Sequence, residues 1–201
     1  MSSHTNRTAA PDAVEADRIP PGQTLTARGR WPLLHFGPVP RTDLAAWDLR
    51  VFGLVRNELK LTYEELRGLP QTELTADIHC VTGWSRLGDT WNGVAIQEIL
   101  RRGQPEKDAT HVMAHCEFGY TTSLPLEVLD DDGVLLCYGW NGQDLSDEHG
   151  FPLRLFVPKK YFWKSAKWLR GLEFMPRNRL GFWEQRGYHD EADPWLEQRF
   201  W

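Results

Sequence analysis

Apolar positions along this chain recur in short runs whose period switches between two and three to four residues. The stretch "WDLRVFGLV", residues 47–55, alternates well enough for a strand. "LTYEELRGLP", 61–70, reads as a short helix: Thr62 is placed to cap its start, Glu65 completes a capping box, and Gly68 and Pro70 stop it. "ELTADIHC", 73–80, is a strand, and the following stretch to Gly93, with two tryptophans and three glycines, reads as a loop. "VAIQEILRRG", 94–103, is an amphipathic helix closed by Gly103. "THVMAHCEF", 110–118, is a buried strand, and "LPLEVLDD", 124–131, is a helical turn with Pro125 near its first position. "VLLCYGW" (134–140), "PLRLFVP" (152–158) and "KWLRGLEFM" (167–175) are three further strands.

Between these elements lie segments without a core-like period. Residues 1–30 are polar and rich in Ala, Thr and Pro, and are expected to form a mobile arm. "WPLLHFGPVP", 31–40, is apolar but broken by three prolines, so it is expected to lie as an extended loop across the surface. The aromatic tail "GFWEQRGYHDEADPWLEQRFW" is expected to wrap over the body with its tryptophans as anchors. No internal repeat or linker-like tract divides residues 31–175. The pattern predicts one β-rich α+β domain with short helices, between strands that are rarely adjacent hairpins.

Composition narrows the class. A chain of 201 residues can bury roughly 70% of the surface its unfolded form exposes. Hydrophobic residues are 41% and charged residues 25%, ordinary for a globular protein, while ten tryptophans are enough to shape a pocket as well as a core. A net charge of −5 argues against a nucleic-acid partner, which needs a basic face. The cysteines Cys80, Cys116 and Cys137 are odd in number and far apart, with no C-x-x-C, which argues against a disulfide framework or a structural zinc site. The N-terminus lacks a signal-peptide apolar region and no run approaches 18 apolar residues, so the expected address is the cytoplasm and no transmembrane segment is expected.

Cys80 is the first candidate for chemistry, because it ends a strand facing a Gly-rich stretch. It reads as a small core residue, a metal ligand or a nucleophile. The adjacent His79 is badly placed as its base, since neighbours on a strand point to opposite faces. A second candidate is "HGFPLRLFVPKKYFWKSAKW", 149–168. Arg154 interrupts an apolar strand, and "KSAK" sets Lys164, Ser165 and Lys167 around small residues, which suits a phosphate or a solvated basic turn. His111 and His115 share one side of a strand and are a weak metal pair.

Three stretches occur together: "DIHCVTGWS", "EHGFPLRLFVPKKYFWKSAKWLRGLEF" and the closing "GFWEQRGYH". With "LHFGPVP", they make the chain resemble the oxidoreductase molybdopterin-binding domain of the sulfite oxidase family, including its short bacterial sulfite oxidase-like members and the catalytic subunit of periplasmic methionine sulfoxide reductase. The resemblance implies the corresponding α+β fold, with molybdenum and molybdopterin as cofactors. It makes Cys80 the thiolate ligand of the metal; the pterin dithiolene supplies two further sulfurs, so no second protein ligand is needed. It assigns His35 and Phe36 to a pterin-contacting loop, Cys116 or its neighbour His115 to the cofactor's edge, and His149 and Arg154 to the pterin and its phosphate. Ser165, Ala166 and Lys167 become the turn that grips the phosphate.

The implied activity is two-electron oxygen-atom transfer on a small S-oxide, N-oxide or sulfite-like substrate, with a separate electron-transfer partner. Sulfite-oxidising members carry an arginine close to the metal cysteine and a cluster of cations; here Gly83 stands in that loop and Arg86 is not clearly placed. Lys160, Lys164 and Arg86 are the cations that would restore an anion site. Two other readings stand beside this one: a molybdopterin carrier without turnover, and a cysteine-dependent hydrolase or transferase using Cys80 with His149.

Overall fold

The computed structural model describes residues 16–27 and 29–201. Two mixed sheets face one another. The first contains β1 (Thr24–Leu25), β4 (Gln71–His79), β5 (Trp84–Ala95), β8 (Leu135–Trp140), β9 (Gln143–Asp144) and β10 (Arg154–Phe156). Its spine runs β1-β5-β8-β10, with β4 also on β5 and β9 on β8. The second runs β3 (Leu59–Thr62), β2 (Asp48–Gly53), β11 (Leu169–Met175), β6 (His111–Cys116) and β7 (Thr121–Pro125). Short helices α1 (Tyr63–Arg67), α2 (Ile96–Gly103) and α3 (Leu126–Leu129) join strands of different sheets. Among the described residues, no helix is long and apolar enough to cross a membrane. The architecture is the α+β type expected.

The first sheet is buried on both faces, and β8 shows why its sequence is a continuous apolar run. Leu136 and Tyr138 join the core between the sheets with Leu49, Val51, Leu155 and Leu172. Leu135 and Cys137 point the other way, into a second cluster with Trp31, Ile78, Trp91 and Phe156. On β10 the same alternation turns Leu155 to the inter-sheet core and puts Arg154 on the side of Phe156, beneath Trp31 and Phe162. The capping box of α1 forms as read: Thr62 Oγ1 accepts from the Glu65 N–H, and the Glu65 carboxylate accepts from the Thr62 N–H.

Several expectations are corrected. The stretch after Cys80 is a tight turn followed by a twelve-residue strand, β5; cross-strand pairing outweighs its glycines. Val94 and Ala95 belong to β5, not to α2, and the left-handed cap of α2 is Gln104 rather than Gly103. Adjacent hairpins are common: β2–β3, β4–β5, β6–β7 and β8–β9 all pair antiparallel. Of the expected mobile arm, residues 1–15 and 28 lie outside the described residues. Within the rest, Thr24–Leu25 pairs in parallel with Trp84–Ser85, because unpaired β5 backbone there offers it hydrogen bonds. In the tail, Ala192 and Pro194 are buried and Trp183 packs half-buried against the cluster of Tyr161, Trp163 and Ala192, while Trp195 and Trp201 are exposed, so of the three tail tryptophans only Trp183 is an anchor.

A buried ion pair fastens that tail. Lys164 Nζ lies 2.6 Å from Glu184 Oε1, and neither side chain is exposed. The Glu184 carboxylate also accepts from Thr122 Oγ1 at 2.7 Å, and Lys164 donates to the Ser123 carbonyl at 2.8 Å. Removing one partner strands the other in a dry interior. Lys164→Met is expected to destabilise the protein by about 3–5 kcal/mol. Adding Glu184→Leu should recover most of that loss, as read by urea denaturation of both variants.

Candidate functional site

Cys80 opens the hairpin turn between β4 and β5. Its N–H donates to the Trp84 carbonyl at 2.8 Å, and its carbonyl accepts from the Gly83 N–H at 3.0 Å. Gly83 sits at φ +90°, where a side chain is strained, so its glycine answers the turn geometry rather than a missing cation. Thr82 Oγ1 donates to Cys80 Sγ at 3.2 Å. Burial pushes the Cys80 thiol up, opposed by the Thr82 hydrogen bonds and the Arg199 charge. His79, behind it, bonds to Ser85 Oγ at 2.8 Å and is held down by burial.

The thiol lines a cavity of about 350 Å³. His35, Phe36, Cys80, His149, Arg154, Ser165, Ala166 and Lys167, far apart in sequence, all contribute to its wall. Cys116 does not: it is buried on β6, with its thiol pushed up by desolvation, and its N–H is bonded to the Tyr120 carbonyl. His115 turns away to Glu173 at 2.7 Å, and His111 bonds to Thr110, so neither joins the cavity or forms a metal pair. The contribution from this part of the chain is instead Tyr120, just past the end of β6, which lines the cavity.

The cavity has two chemistries. One part is cationic. Arg154 is buried with no carboxylate partner: Nη1 donates to the His149 carbonyl at 3.0 Å, Nη2 to the Ser165 carbonyl at 2.6 Å, and Nε has no partner. Burial lowers its pKa to about 10. Lys167 donates to the carbonyls of Leu34 and Glu148, both at 2.7 Å, and burial followed by the Arg154 charge lowers it to about 7. His149, stacked on Trp31 at 3.8 Å, is lowered to about 4 by burial and then by Arg154 and Lys167, so it is neutral with an unpartnered, buried Nε2. Gly150, at φ +115°, lets these groups crowd together; a Cβ there would meet Lys167 and Arg154 at 3.2–3.3 Å. The Ser165 hydroxyl accepts from the Val157 N–H and braces the turn.

Around Cys80 the lining is uncharged. It comprises Val81, Thr82, Trp84, Trp163, Trp183 and Tyr188. The Trp84 indole N–H is buried without a partner. The Tyr188 phenol is pushed up by burial and by proximity to Cys80, so it remains a donor. The cations expected to restore an anion site are engaged elsewhere. Arg86 forms a buried bidentate pair with Asp89, Lys164 is paired with Glu184, and Lys160 lies 3.4 Å from Glu191. Sequence reasoning missed Trp31, Thr82, Tyr120 and Tyr188 as site residues. Thr82 and Tyr188 had a usable signal, lying in the "DIHCVTGWS" and "GFWEQRGYH" stretches that carried the resemblance.

These features fit a phosphate-bearing molybdopterin. Buried Arg154 and His149 atoms lack partners on the cavity wall, and one thiol stands at its uncharged part. Among the described residues, no group of three or more His, Cys, Asp or Glu could hold a metal ion.

Comparisons with known proteins point the same way. A family model, the oxidoreductase molybdopterin binding domain, matches residues 36–183. The chain is 46% identical over 187 residues to the uncharacterized oxidoreductase YuiH of Bacillus subtilis, covering 92% of this chain and 93% of that one. It is 33% identical to a putative protein-methionine-sulfoxide reductase subunit, YedZ1, of Azospira oryzae, over 75% of this chain and 57% of the relative. The sulfane dehydrogenase SoxCD from Paracoccus pantotrophus has a similar fold, with a TM-score of 0.68 at 18% identity, covering 93% of this chain and 57% of that one. The chain thus spans nearly all of the first relative but little more than half of the other two.

The lowered Lys167 gives the site a pH signature. Between about 7 and 10.5 the unfolded chain holds more protons on this lysine than the folded one, so its cost to the cofactor-free protein is full below 7 and fades as pH rises. An anion bound beside it favours the ammonium form, so anion affinity falls as pH rises through 7. Sulfate, a dianion throughout, should raise the melting temperature of cofactor-free protein more at pH 6 than at pH 9. Lys167→Arg should make the effect independent of pH; equal shifts in the wild type would remove Lys167 from the site.

Proposed function

We infer the function from one fact: the chain belongs to the oxidoreductase molybdopterin binding domain family. We propose that it performs two-electron oxygen-atom transfer, reducing a small neutral S-oxide or N-oxide in preference to oxidising sulfite. Electrons come from a separate partner, and the expected address remains the cytoplasm. The observation that carries this reading is the division of the cavity, with an uncompensated buried cation at one part and a lone thiol among uncharged aromatics at the other.

In this proposal Arg154 and Lys167 bind the cofactor phosphate through charge-assisted hydrogen bonds, and neutral His149 offers Nε2 to the pterin. His35 and Phe36 close over it from the proline-rich loop, where the Phe36 ring packs tilted against Phe182 at 4.3 Å. Cys80 supplies a thiolate to molybdenum. When bound, the cofactor supplies the two-electron couple and gives or accepts the oxygen atom. The Trp84 indole N–H and the Tyr188 hydroxyl are the donors available to a substrate oxygen beside Cys80. Reduction of a sulfoxide consumes two electrons and two protons and releases the sulfide and water. Val81, Trp163 and Trp183 provide an apolar wall suited to a neutral substrate, whereas sulfite needs fixed positive charge there. Exposed Leu34 and Phe36 extend that apolar character to the mouth.

A hydrolase using Cys80 with His149 is disfavoured. Burial raises the thiol rather than activating it, and His149 is held by Ser146 through Nδ1. A carrier without turnover would be metal-replete yet inert to every oxygen donor and acceptor.

Purified protein is expected to contain about one molybdenum and one molybdopterin per chain. Cys80→Ser should abolish activity and lower the number of Mo–S contacts seen by X-ray absorption; an unchanged number would refute the ligand assignment. Steady-state assays with a viologen donor for reduction and ferricyanide for sulfite oxidation are expected to give a higher kcat/KM for a sulfoxide or N-oxide. A sulfite value above every one of those would overturn the substrate preference.

A further inference from the structure

Neither the resemblance nor the family assignment gives a role to the end of the chain, yet the structure brings it back to Cys80. Arg199 Nη1 donates to the carbonyl of Val81, the residue after Cys80 in the turn, and Nη2 donates to the Gly22 carbonyl at 3.3 Å. The next residue, Gln23, donates from Nε2 to the Cys80 carbonyl at 3.0 Å. Two consecutive carbonyls of the turn are therefore held by groups from opposite ends of the described chain.

Arg199 is itself fixed. Its carbonyl accepts from the His189 N–H at 3.1 Å, Phe200 bridges to Tyr188, and the guanidinium lies 5.2 Å from the centroid of the Tyr161 ring. The same short segment thus braces both the Cys80 turn and the loop carrying Tyr188. Its charge is poorly compensated: the carboxylate paired with it, Glu197, is 3.9 Å away and 52% exposed, while the Arg199 side chain is 19% exposed. Carbonyls accept its hydrogen bonds but carry no net charge to cancel it. That leaves a fixed positive charge on the carbonyl of the residue next to Cys80.

We propose that Arg199 is a positioning residue for Cys80, which holds the hairpin turn in one geometry and places a fixed positive charge at the Val81 carbonyl, one residue from the thiol. The proposal rests on the reading of Cys80 as the metal's thiolate. The arginine acts from behind the turn and is not on the cavity wall, so it does not serve as a substrate-binding cation. Its fork matters for position because it spans two carbonyls on separate segments; a lysine keeps the charge without the fork. Positive charge near the thiolate favours the reduced, more negative metal centre and raises its potential.

The test separates position from charge. In protein as purified, amide hydrogen exchange at Gly83, whose N–H donates to the Cys80 carbonyl, is expected to accelerate in Arg199→Lys and Arg199→Gln while Leu172 in the core stays protected. In molybdenum-loaded protein, Arg199→Gln should lower the Mo(VI/V) potential and Arg199→Lys should restore most of it. Outer residues of this kind typically change activity by about 10–100-fold, and here the loss should fall on kcat with KM unchanged. Unchanged Gly83 exchange in both variants overturns the positioning role, and a wild-type potential in loaded Arg199→Gln overturns the charge role. If Arg199→Gln fails to fold or load, the Arg199→Lys exchange measurement still decides position. It requires no metal, so a chain without molybdenum would refute the proposed function while leaving this result interpretable.

Discussion

The site is organised around a cation that the fold buries without an anion. Arg154 is 2% exposed, held by two carbonyls and two aromatic faces, and has no carboxylate beside it. An uncompensated buried charge is expensive in an apolar setting. Burial first, and then the Arg154 charge, make His149 a poor proton acceptor and let Lys167 lose its proton readily. In the proposed function an entering anion offsets that cost, which would defer part of the fold's electrostatic balance to its ligand. Lys164, ten residues later, shows the opposite arrangement. It is equally buried but paired at 2.6 Å with Glu184, and its role is to fasten the tail.

The two sheets make this arrangement possible. Because β8 and β10 are covered on both faces, Arg154 can share the Phe156 face of β10 while Leu155 fills the inter-sheet core. The Trp31 segment then crosses that face and stacks on His149, converting a loop without regular structure into a wall of the cavity. The Cys80 turn is tied to the same region through the Phe162 N–H, which donates to the His79 carbonyl at 2.8 Å. Thiol and cations are thereby held by one scaffold, as the proposed binding of a cofactor at both ends would require.

Local signals in the sequence were reliable where neighbouring residues act on each other. The Thr62–Glu65 capping box formed as read, as did the strand cores at 48–53, 111–116, 135–140 and 169–175. Signals failed where partners are distant. Residues 84–93 look like a glycine-rich loop until β4 and β8 flank them, and Thr24–Leu25 looks like part of a free arm until β5 is present.

The site divides in the same way. Cys80, Arg154 and the 165–167 turn were legible because their departures from a plain strand or turn are local: a thiol at a strand end, an arginine in an apolar run, small residues between cations. Cys116, which the resemblance placed with His115 as alternatives at the cofactor's edge, does not reach the cavity wall, because it is buried within β6. By itself the sequence determined which residue types could do the chemistry. Only the tertiary structure decided which cations remain uncompensated, since pairing Arg86 with Asp89 and Lys164 with Glu184 while leaving Arg154 alone is a matter of distance through space.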